Sequence, residues 1–402
     1  MEHDTDILIS GAGPAGLAAA CILGAAGHRI TLVDPAPPIT GEDAPGADLR
    51  TTALLQPARD LLTAAGAWEG LAAHGTELDV MRIVDASGNT PVSRDFTSGD
   101  ISDAPFGWNV PNWLLRRELL ARVADLSTVA TRFDTAVTGL FARTTAARVS
   151  LSDGTRLSAA LVLACDGRTS PLRGMAGIGA RTVDYDQTAI VFAVAHDMPH
   201  DNVSTEVHRS GGPFTLVPLP DREDTHRSAV VWMDDAAAQV HRMELEQDAF
   251  TAEVNDRSAG VMGPLTVISQ RAAWPILSRI ADRLTAPRLA LAAEAAHAMP
   301  PIGAQGLNTS LKDIAALRDL AARHDLGSAA MLDAYHRQRW PDIAARMAGI
   351  DMLNRTSRAS YAPVQALRGK GMALLHDVAP LRRTMMRLGL GGRPTQAQPG
   401  KT

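Results

Sequence analysis

The sequence predicts an α/β fold in which a Rossmann-type nucleotide-binding domain is interrupted by an antiparallel-sheet domain and followed by a helical tail. Three observations predict it. The chain opens with a short apolar strand, a glycine-rich turn and an alanine-rich helix. Apolar and polar residues alternate between positions 185 and 275, as in an antiparallel sheet. Two later apolar runs, at 161–164 and 289–292, are each followed by a carboxylate, as happens where ligands bind at the carboxyl edge of a parallel sheet.

The first element is a crossover unit. Asp6–Ser10 is predicted as a strand, Gly11–Gly16 as a tight turn and Leu17–Ala26 as a helix that ends near Gly27. Arg29–Val33 is the second strand. Two parallel strands around one helix form a right-handed βαβ unit.

The next segments alternate between loop, helix and short strands. Six prolines and glycines predict a loop over residues 35–48, and a helix is predicted over Thr52–Ala65. Residues 76–107 resemble short strands, residues 112–125 have helical periodicity, and residues 147–165 are predicted as a hairpin around Asp153-Gly154.

The antiparallel segment contains alternating runs at Ala189–Ala195, Phe214–Leu219 and Ser228–Met233. A short strand at Leu289–Ala292, a Gly/Pro loop and helices to the end complete the chain. We therefore place the domain segments as follows: 1–75, 108–180 and 276–340 in the Rossmann-type nucleotide-binding domain, 76–107 as substrate-side strands, 181–275 as the substrate domain and 341–402 as a basic helical tail.

Composition restricts the class of protein. The 402 residues are 46% hydrophobic and 21% charged, which is typical of a soluble globular protein. Cys21 and Cys165 are the two cysteines, too few for a disulfide framework, so a reducing, cytoplasmic location is expected. No secretory signal and no apolar run of spanning length is apparent.

The net charge of −5 is unevenly distributed. Residues 1–335 carry 27 basic and 41 acidic side chains, whereas residues 336–402 carry 12 basic and 3 acidic ones. The tail is either a solvated helix docked on an acidic body or a segment that contacts anionic lipid on the inner face of the cytoplasmic membrane. An acidic body with 4% aromatic residues argues against nucleic acid as a partner.

The first motif is Gly11-Ala12-Gly13-Pro14-Ala15-Gly16, with Asp34 at the end of the second strand. Gly11 permits the turn, Gly13 lets backbone approach a pyrophosphate, and Gly16 lets the helix pack on the strand. The helix N-terminus attracts phosphates, and the carboxylate can accept hydrogen bonds from a ribose diol. This arrangement predicts a bound dinucleotide but does not distinguish NAD from FAD.

Two further motifs follow predicted strands. Asp166-Gly167 comes after Leu161–Ala164, and Glu294 comes after Leu289–Ala292. The second of these leads through a Pro/Gly loop into a helix near Asn308, whose N-terminus could stabilise negative charge on a reduced flavin. His297 is interpreted as a structural residue in preference to a catalytic base. We predict no metal site.

In this order and spacing, the three motifs resemble those of class A FAD-dependent aromatic monooxygenases with the para-hydroxybenzoate hydroxylase fold, and are most similar to the ubiquinone-biosynthesis hydroxylases. The family's Gly-Asp pair is replaced here by Ala293-Glu294. The resemblance also extends to Arg50, near the flavin and pyrophosphate, and to the start of the helix after residue 111; a surface role for Arg50 is the alternative. It implies the following FAD-binding residues: Gly11, Gly13, Ala15, Gly16, Asp34, Arg50, Asn112, Arg116, Asp166, Gly167, Glu294, Gly303, Ala304, Gln305, Gly306, Leu307 and Asn308.

The resemblance further implies a reaction. NAD(P)H would bind transiently and reduce FAD, and O₂ would then give a flavin C(4a)-hydroperoxide that hydroxylates the ring of a prenylated phenol. The flavin-side loop, with Pro301, Gly303 and Gln305, would form one wall, and Trp274-Pro275-Ile276 would lie at the substrate side or serve core packing. No catalytic side chain is identified; Tyr185, His196, His208 and His226 are the residues considered.

Three other functions stay open at this point. They are a hydroxylase of a soluble aromatic or polyketide, a flavin-dependent reductase of prenyl double bonds, and a non-catalytic FAD-binding subunit of a biosynthetic complex. The Ala293-Glu294 replacement is the feature that points to the last of these.

Overall fold

The computed structural model describes residues 3–358, apart from 89 and 210, and residues 371–390. Its strands in chain order are β1 Thr5–Ser10, β2 Ile30–Val33, β3 Thr51–Leu55, β4 Thr76–Leu78, β5 Val80–Asp85, β6 Val92–Thr97, β7 Gly107–Pro111, β8 Val129–Arg132, β9 Val137–Ala142, β10 Ala147–Leu151, β11 Arg156–Ala164, β12 Ala180–His196, β13 Val203–His208, β14 Pro213–Arg222, β15 Thr225–Asp235, β16 Leu265–Val267, β17 Ala272–Ala281, β18 Thr285–Ala286, β19 Leu289–Leu291 and β20 His297–Ala298. The helices are α1 Pro14–Ala25, α2 Gln56–Ala64, α3 Trp68–Ala72, α4 Asn112–Asp125, α5 Pro171–Met175, α6 Ala236–Glu244, α7 Gln247–Ser258, α8 Gln305–Ala321, α9 Ala329–Arg358 and α10 Ala379–Leu390. Ser98–Asp100 and Ala293–Ala295 form 3₁₀ turns.

The first sheet has a parallel core in the order β19-β11-β1-β2-β8. Ile7, Leu8 and Ile9 of β1 are fully buried, which is why this strand is a continuous apolar run without alternation. Helices α4 and α8 pack against α1. The glycine turn after β1, Asp34 after β2 and Asp166 after β11 consequently meet at the carboxyl edge of this sheet, where ligands bind in open α/β folds.

The second sheet has the order β20-β17-β12-β15-β14-β13-β5-β6, with β16 beside β12. Alternation in β12 sends Ile190 and Phe192 to one face, where they pack with Phe250 of α7, and Ala189 to the other. The pairs are antiparallel except for β13 with β5, which is parallel. The predicted fold class is confirmed.

The face of the second sheet that is opposite α7 carries two apolar clusters. We call the first the loop-side cluster; it consists of Tyr185, Ala189, Met233, Ile276, Ile302 and Ile350. We call the second the tail-side cluster; it consists of Leu55, Leu78, Phe96, Ile101, Phe106 and Met386.

Helix α9 contacts both sheets. Near its start the Tyr335 hydroxyl donates to the Leu291 carbonyl of the first sheet at 2.9 Å. Near its end Asn354 Nδ2 donates to Gln187 Oε1 of the second sheet at 2.8 Å. This one helix therefore fixes the two sheets relative to each other.

Several predicted elements are wrong in detail. Residues 51–55 form strand β3, so the helix predicted over Thr52–Ala65 begins only at Gln56. Helices α6 and α7 lie within the segment predicted as sheet alone. Gly389 and Leu390 end helix α10, and residues 391–402 lie outside the described part of the chain.

The predicted domain boundaries stay a prediction. Strand β17 runs across the boundary placed between 275 and 276, and α9 runs across the one placed between 340 and 341. None of the described helices combines the length and the apolar composition that crossing a bilayer requires.

Candidate active site

The glycine turn after β1 is built for close approach. Gly11 has a φ of +106°, and a Cβ there would overlap the Cys165 carbonyl. A Cβ on Gly16 would overlap the Gly11 carbonyl oxygen, so α1 can lie against the turn only with glycine at this position. A Cβ on Gly13 would meet no described atom within 4 Å beyond its chain neighbours, so space remains in front of the N-terminus of α1. No described side chain caps that N-terminus, and its first N–H groups can receive an anion.

Asp34 adjoins this turn. Its Oδ2 accepts a hydrogen bond from the Ala12 N–H at 2.6 Å, and its Oδ1 accepts one from the Ala36 N–H at 3.0 Å. The carboxylate is thereby fixed next to the space that fronts Gly13, where a ribose would follow a pyrophosphate.

A buried carboxylate that sequence reasoning missed organises three predicted site residues. Asp48 is 4% exposed and accepts two hydrogen bonds from Arg50, both at 2.8 Å. Asn112 Nδ2 donates to it at 3.1 Å and Arg116 at 3.4 Å. Burial alone raises the pKa of Asp48, but the bonds from Arg50, Asn112 and Arg116 outweigh it and hold the pKa below its ordinary value.

We expect Asp48→Asn to lower stability by about 2 kcal/mol at neutral pH, because Arg50 loses a charge-assisted hydrogen bond pair. The lowered pKa means that the Asp48 contribution is present above the ordinary carboxyl pKa and is lost as pH falls through the folded-state value. Urea unfolding of both proteins, measured from neutral pH down to below about pH 4, should show the difference shrinking in acid. The control is Asp43→Asn, which changes an exposed acid in the same loop as Asp48. It should change stability by at most about 0.5 kcal/mol. A constant difference across this range would contradict the assignment.

Arg50 also reaches the second sheet. Its guanidinium carbon lies 4.1 Å from the centre of the Trp274 ring of β17. Arg168 lies 6.0 Å from the same ring, and its Nε is 3.9 Å from Glu294 Oε2. Two cations, one aromatic face and one carboxylate therefore gather where the carboxyl edge of the first sheet meets the second. Such a set suits a ligand that is anionic at one end and planar at the other.

Asp166 supplies an unsatisfied acceptor in this cleft. Its Oδ2 accepts the Leu172 N–H at 3.1 Å, whereas its buried Oδ1 has no hydrogen-bond partner among the described residues. Burial raises the pKa of Asp166. Gly167, with a φ of +83°, turns the chain beside it. A buried acceptor of this kind is expected to face a ligand hydroxyl or amide.

The segment that carries Glu294 is anchored by Asp313 of α8. Asp313 is fully buried and accepts a hydrogen bond from the Ala293 N–H at 3.3 Å. Its Oδ2 lies 2.7 Å from His297 Nε2, and its Oδ1 accepts from Arg339 of α9 at 2.8 Å. His297 is itself buried, which fits the structural interpretation. Ala293 has a φ of +54°, a conformation that favours the glycine of the family pattern.

The flavin-side loop precedes α8. Gln305 Nε2 donates to the carbonyls of Gly303, at 2.8 Å, and Gly389, at 2.9 Å. Asn308 Nδ2 donates to the Ala53 carbonyl at 2.7 Å, and its Oδ1 accepts the Leu55 N–H at 3.0 Å. Thus Gln305 and Asn308 are both occupied in holding the loop.

The other predicted loop residues differ in their surroundings. Pro301 is exposed. Leu307 packs against the core of the first sheet. Ala304 has a φ of +56° as it leads into α8. A Cβ on Gly306 would contact no described atom within 4 Å beyond its chain neighbours and its own helix backbone. Ala15 is half-buried in the first turn of α1.

Of the four residues considered as bases, Tyr185 alone lies in the loop-side cluster. Its hydroxyl donates to Asp351 Oδ1 at 2.7 Å, and its pKa is raised by burial and by that carboxylate. His196 contacts Met198 and Ser228. His208 contacts Glu206, and His226 contacts Asp221. We assign these three histidines structural roles.

Comparison with known proteins decides which dinucleotide fits. Residues 4–348 match the family described as FAD binding domain. The chain belongs to this FAD-binding family. The ubiquinone hydroxylase UbiL of Rhodospirillum rubrum is 32% identical over 96% of this chain and 89% of its own length. The 3-demethoxyubiquinol 3-hydroxylase of Escherichia coli is 25% identical over 97% of this chain and 99% of its own.

A solved structure supports the same fold. The p-nitrophenol 4-monooxygenase PnpA of Pseudomonas putida superposes with a TM-score of 0.78 at 20% identity, covering 98% of this chain and all of that one. This flavoprotein is therefore a class A FAD-dependent monooxygenase that uses NAD(P)H and O₂. When bound, FAD accepts reducing equivalents from the nicotinamide donor and activates oxygen.

The residues present fit that cofactor. The open space at Gly13 and the N-terminus of α1 would take the pyrophosphate, with Arg50 as its counter-charge. Asp34 would hold the ribose, and the unsatisfied Asp166 oxygen would take a hydroxyl. The buried Ile302 and Ile276 would exclude water beside the cofactor, which would strengthen electrostatic interactions there. The individual roles of these residues stay a prediction.

Proposed function

We propose that this flavoprotein hydroxylates the ring of a polyprenylated phenol in ubiquinone biosynthesis. The observation that carries the proposal is a continuous apolar face that runs from the flavin-side loop to the C-terminal helix. The names of the relatives in Rhodospirillum rubrum and Escherichia coli point to the same substrate class.

The continuity follows from strand register. Val231 packs against the loop-side cluster, and Val217 packs against the tail-side cluster. These strands pair with Val217 opposite Ala229 and Thr215 opposite Val231, so both valines point to the same face two positions apart. Half-buried Met81 and Ile83 extend this face along β5. An aromatic ring beside Ile302 could therefore extend an apolar side chain past Val231, Ala229 and Val217 toward Met386.

The part of this face that would hold the aromatic ring differs from the part that would hold the apolar side chain of the substrate. Ile302 and Ile276 supply apolar contacts beside the flavin-side loop, and the Tyr185 hydroxyl is bonded to Ser278 and Asp351. A phenolic substrate placed here would have one polar group to orient it and apolar walls to exclude water. Orientation and exclusion are what the protein contributes when a flavin carries the chemistry.

We also propose that the tail contacts the membrane peripherally. Leu374, Val378, Met385 and Leu388 are large apolar side chains that are at least 40% exposed. Arg383 and Arg387 lie exposed beside them, whereas Arg382 is engaged by Asp100. Exposed apolar and basic side chains concentrated in residues 374–388 suit an anionic lipid surface. Two further basic residues of this tail, Arg368 and Lys370, lie outside the described residues. Membership of a biosynthetic complex stays a prediction.

The function is tested with the FAD-loaded protein, NADPH or NADH, and a prenylated phenol. We expect the phenol to accelerate bleaching of the flavin absorbance under anaerobic conditions by at least about tenfold, since substrate binding completes the site. In air, mass spectrometry should find the phenol with one added oxygen atom.

Other outcomes would favour the alternatives. Hydroxylation of an unprenylated aromatic with no turnover of the prenylated phenol would favour a soluble substrate. Saturation of a prenyl double bond without O₂ uptake would favour a reductase. A flavin that no nicotinamide donor reduces would favour a non-catalytic subunit.

A further inference from the structure

Helix α10 is attached to the body of the protein at two points. Arg382 donates two hydrogen bonds to Asp100, at 2.9 and 3.0 Å, and both side chains are about one-fifth exposed. Seven residues later, the Gly389 carbonyl accepts the bond from Gln305 of the flavin-side loop. The helix therefore spans from the 3₁₀ turn that follows β6 to the flavin-side loop.

Between these two attachments, one side chain is directed inward. Met386 is 4% exposed and packs in the tail-side cluster with Phe96, Phe106 and Leu55. Its neighbour Met385 is 48% exposed. The two adjacent methionines thus lie on opposite sides of the helix, and only Met386 faces the apolar surface that leads from the flavin-side loop.

We propose that α10 forms the far wall of the substrate chamber and that Met386 determines which ring side chains the enzyme accepts. This inference rests on the proposed function. The wall belongs to this chain's own C-terminal segment, which the Gly389 carbonyl ties to the flavin-side loop. Half-buried Met372 packs against the same cluster and belongs to the same wall.

The chemistry of methionine suits this role. Its side chain is unbranched, has three rotatable bonds and carries a polarizable sulfur, so it adapts to apolar ligands of irregular shape. The methyl-branched chain of a polyisoprenoid is such a ligand. Ala53 and Leu55 of β3, beside the flavin-side loop, pack with the same cluster, so a chain that reaches Met386 remains in apolar contact along its length.

The test compares Met386→Ala and Met386→Phe in the FAD-loaded enzyme with the control Met352→Phe, at an exposed methionine of α9. The probes are one phenol without a prenyl group, one with a short and one with a long isoprenoid chain. Met386→Phe should lower kcat/KM for the long-chain phenol by about tenfold while the phenol without a chain changes by at most about twofold. Met386→Ala should shift the preference toward the longer chain, and Met352→Phe should leave the profile unchanged.

A second measurement distinguishes a change in substrate binding from misfolding of a variant. Binding of each phenol to the oxidised enzyme, without a nicotinamide donor, is followed by the perturbation of the flavin spectrum, and each variant's FAD content is recorded. Arg382→Gln removes the charged partner of Asp100 and so weakens one attachment of α10, while residue 386 remains methionine. This variant should also reduce discrimination between short and long chains.

Two failures are distinguishable. If the wild type hydroxylates prenylated phenols but all variants keep its chain-length profile, the role of Met386 is overturned and the proposed function stands. If the wild type hydroxylates no prenylated phenol, the proposed function falls and the Met386 proposal falls with it.

Discussion

Replacing Gly16 with alanine should give a protein that is destabilised by at least about 3 kcal/mol and retains no FAD. The added methyl group would overlap the carbonyl oxygen of Gly11, and this backbone cannot move aside as a flexible side chain could. Relief requires α1 to move away from the glycine turn, which removes its N-terminus from the pyrophosphate position. Urea unfolding of the apo-protein and the flavin-to-protein absorbance ratio after gel filtration measure the two effects. A variant with wild-type stability and full flavin would show that the close packing at Gly16 is not required.

Two matched glycine variants separate folding from cofactor binding. The methyl group of Gly13→Ala meets no described atom within 4 Å beyond its chain neighbours, and the φ of −67° at this position suits alanine. We expect its stability to stay within about 0.5 kcal/mol of the wild type while FAD affinity falls at least about tenfold. Gly174→Ala, in α5 and with the same open space among the described residues, should change neither quantity.

Asp313→Asn should lower the free energy of unfolding by about 3 kcal/mol, because the buried Arg339 loses its fully buried charge partner and keeps only Asp342, which is about one-third exposed. Asp313 is fully buried and Arg339 nearly so. The loss should reach the flavin site, since the same carboxylate holds His297 and the backbone of Ala293. Weaker FAD binding is therefore expected together with the lower stability. Denaturant unfolding and FAD titration of the apo-protein test both parts.

The matched control is another acid of the same helix. Asp319 pairs with Arg318, and both side chains are about one-third exposed or more. Asp319→Asn should cost at most about 1 kcal/mol, as solvent-exposed pairs do. Equal losses for the two variants would mean that the buried network around Asp313 does not anchor the site.

The glycine turn and the carboxylates that follow three strands, Asp34, Asp166 and Glu294, were predictable because each is a local pattern. A tight turn, a close helix and a carboxylate after a strand are encoded within a few residues of one another. The same holds for helix α4, which begins and ends where its periodicity predicted. Local patterns also explain why the general location of the FAD site could be predicted.

The two buried carboxylates that organise the site, Asp48 and Asp313, could not be predicted, because their roles depend on contacts between distant segments of the chain. Asp48 meets Asn112 and Arg116, and Asp313 meets Arg339, only after the chain has folded. A lone aspartate within a helix or loop usually indicates a solvated position. A possible signal was the motif Asp48-Leu49-Arg50 itself, in which the carboxylate stands two residues before the predicted phosphate-binding arginine.

Two errors in the elements have physical reasons. Residues 52–55 precede α2 without a break, which favours a helix over them, yet they pair with β7 and form the edge that Asn308 holds. Tertiary pairing overrode the local preference. Helices α6 and α7 escape prediction because the strong alternation of the neighbouring strands dominates the segment.

Helix α9 has a consequence for how the molecule can be divided. Thirty residues at 1.5 Å each make it about 45 Å long, and its two ends are bonded to different sheets. Neither sheet keeps its full set of contacts if the helix is cut, so we expect the two sheets to fold as one unit. Recombining the substrate sheet of one relative with the flavin sheet of another would have to carry α9 intact and match its contacts at both ends.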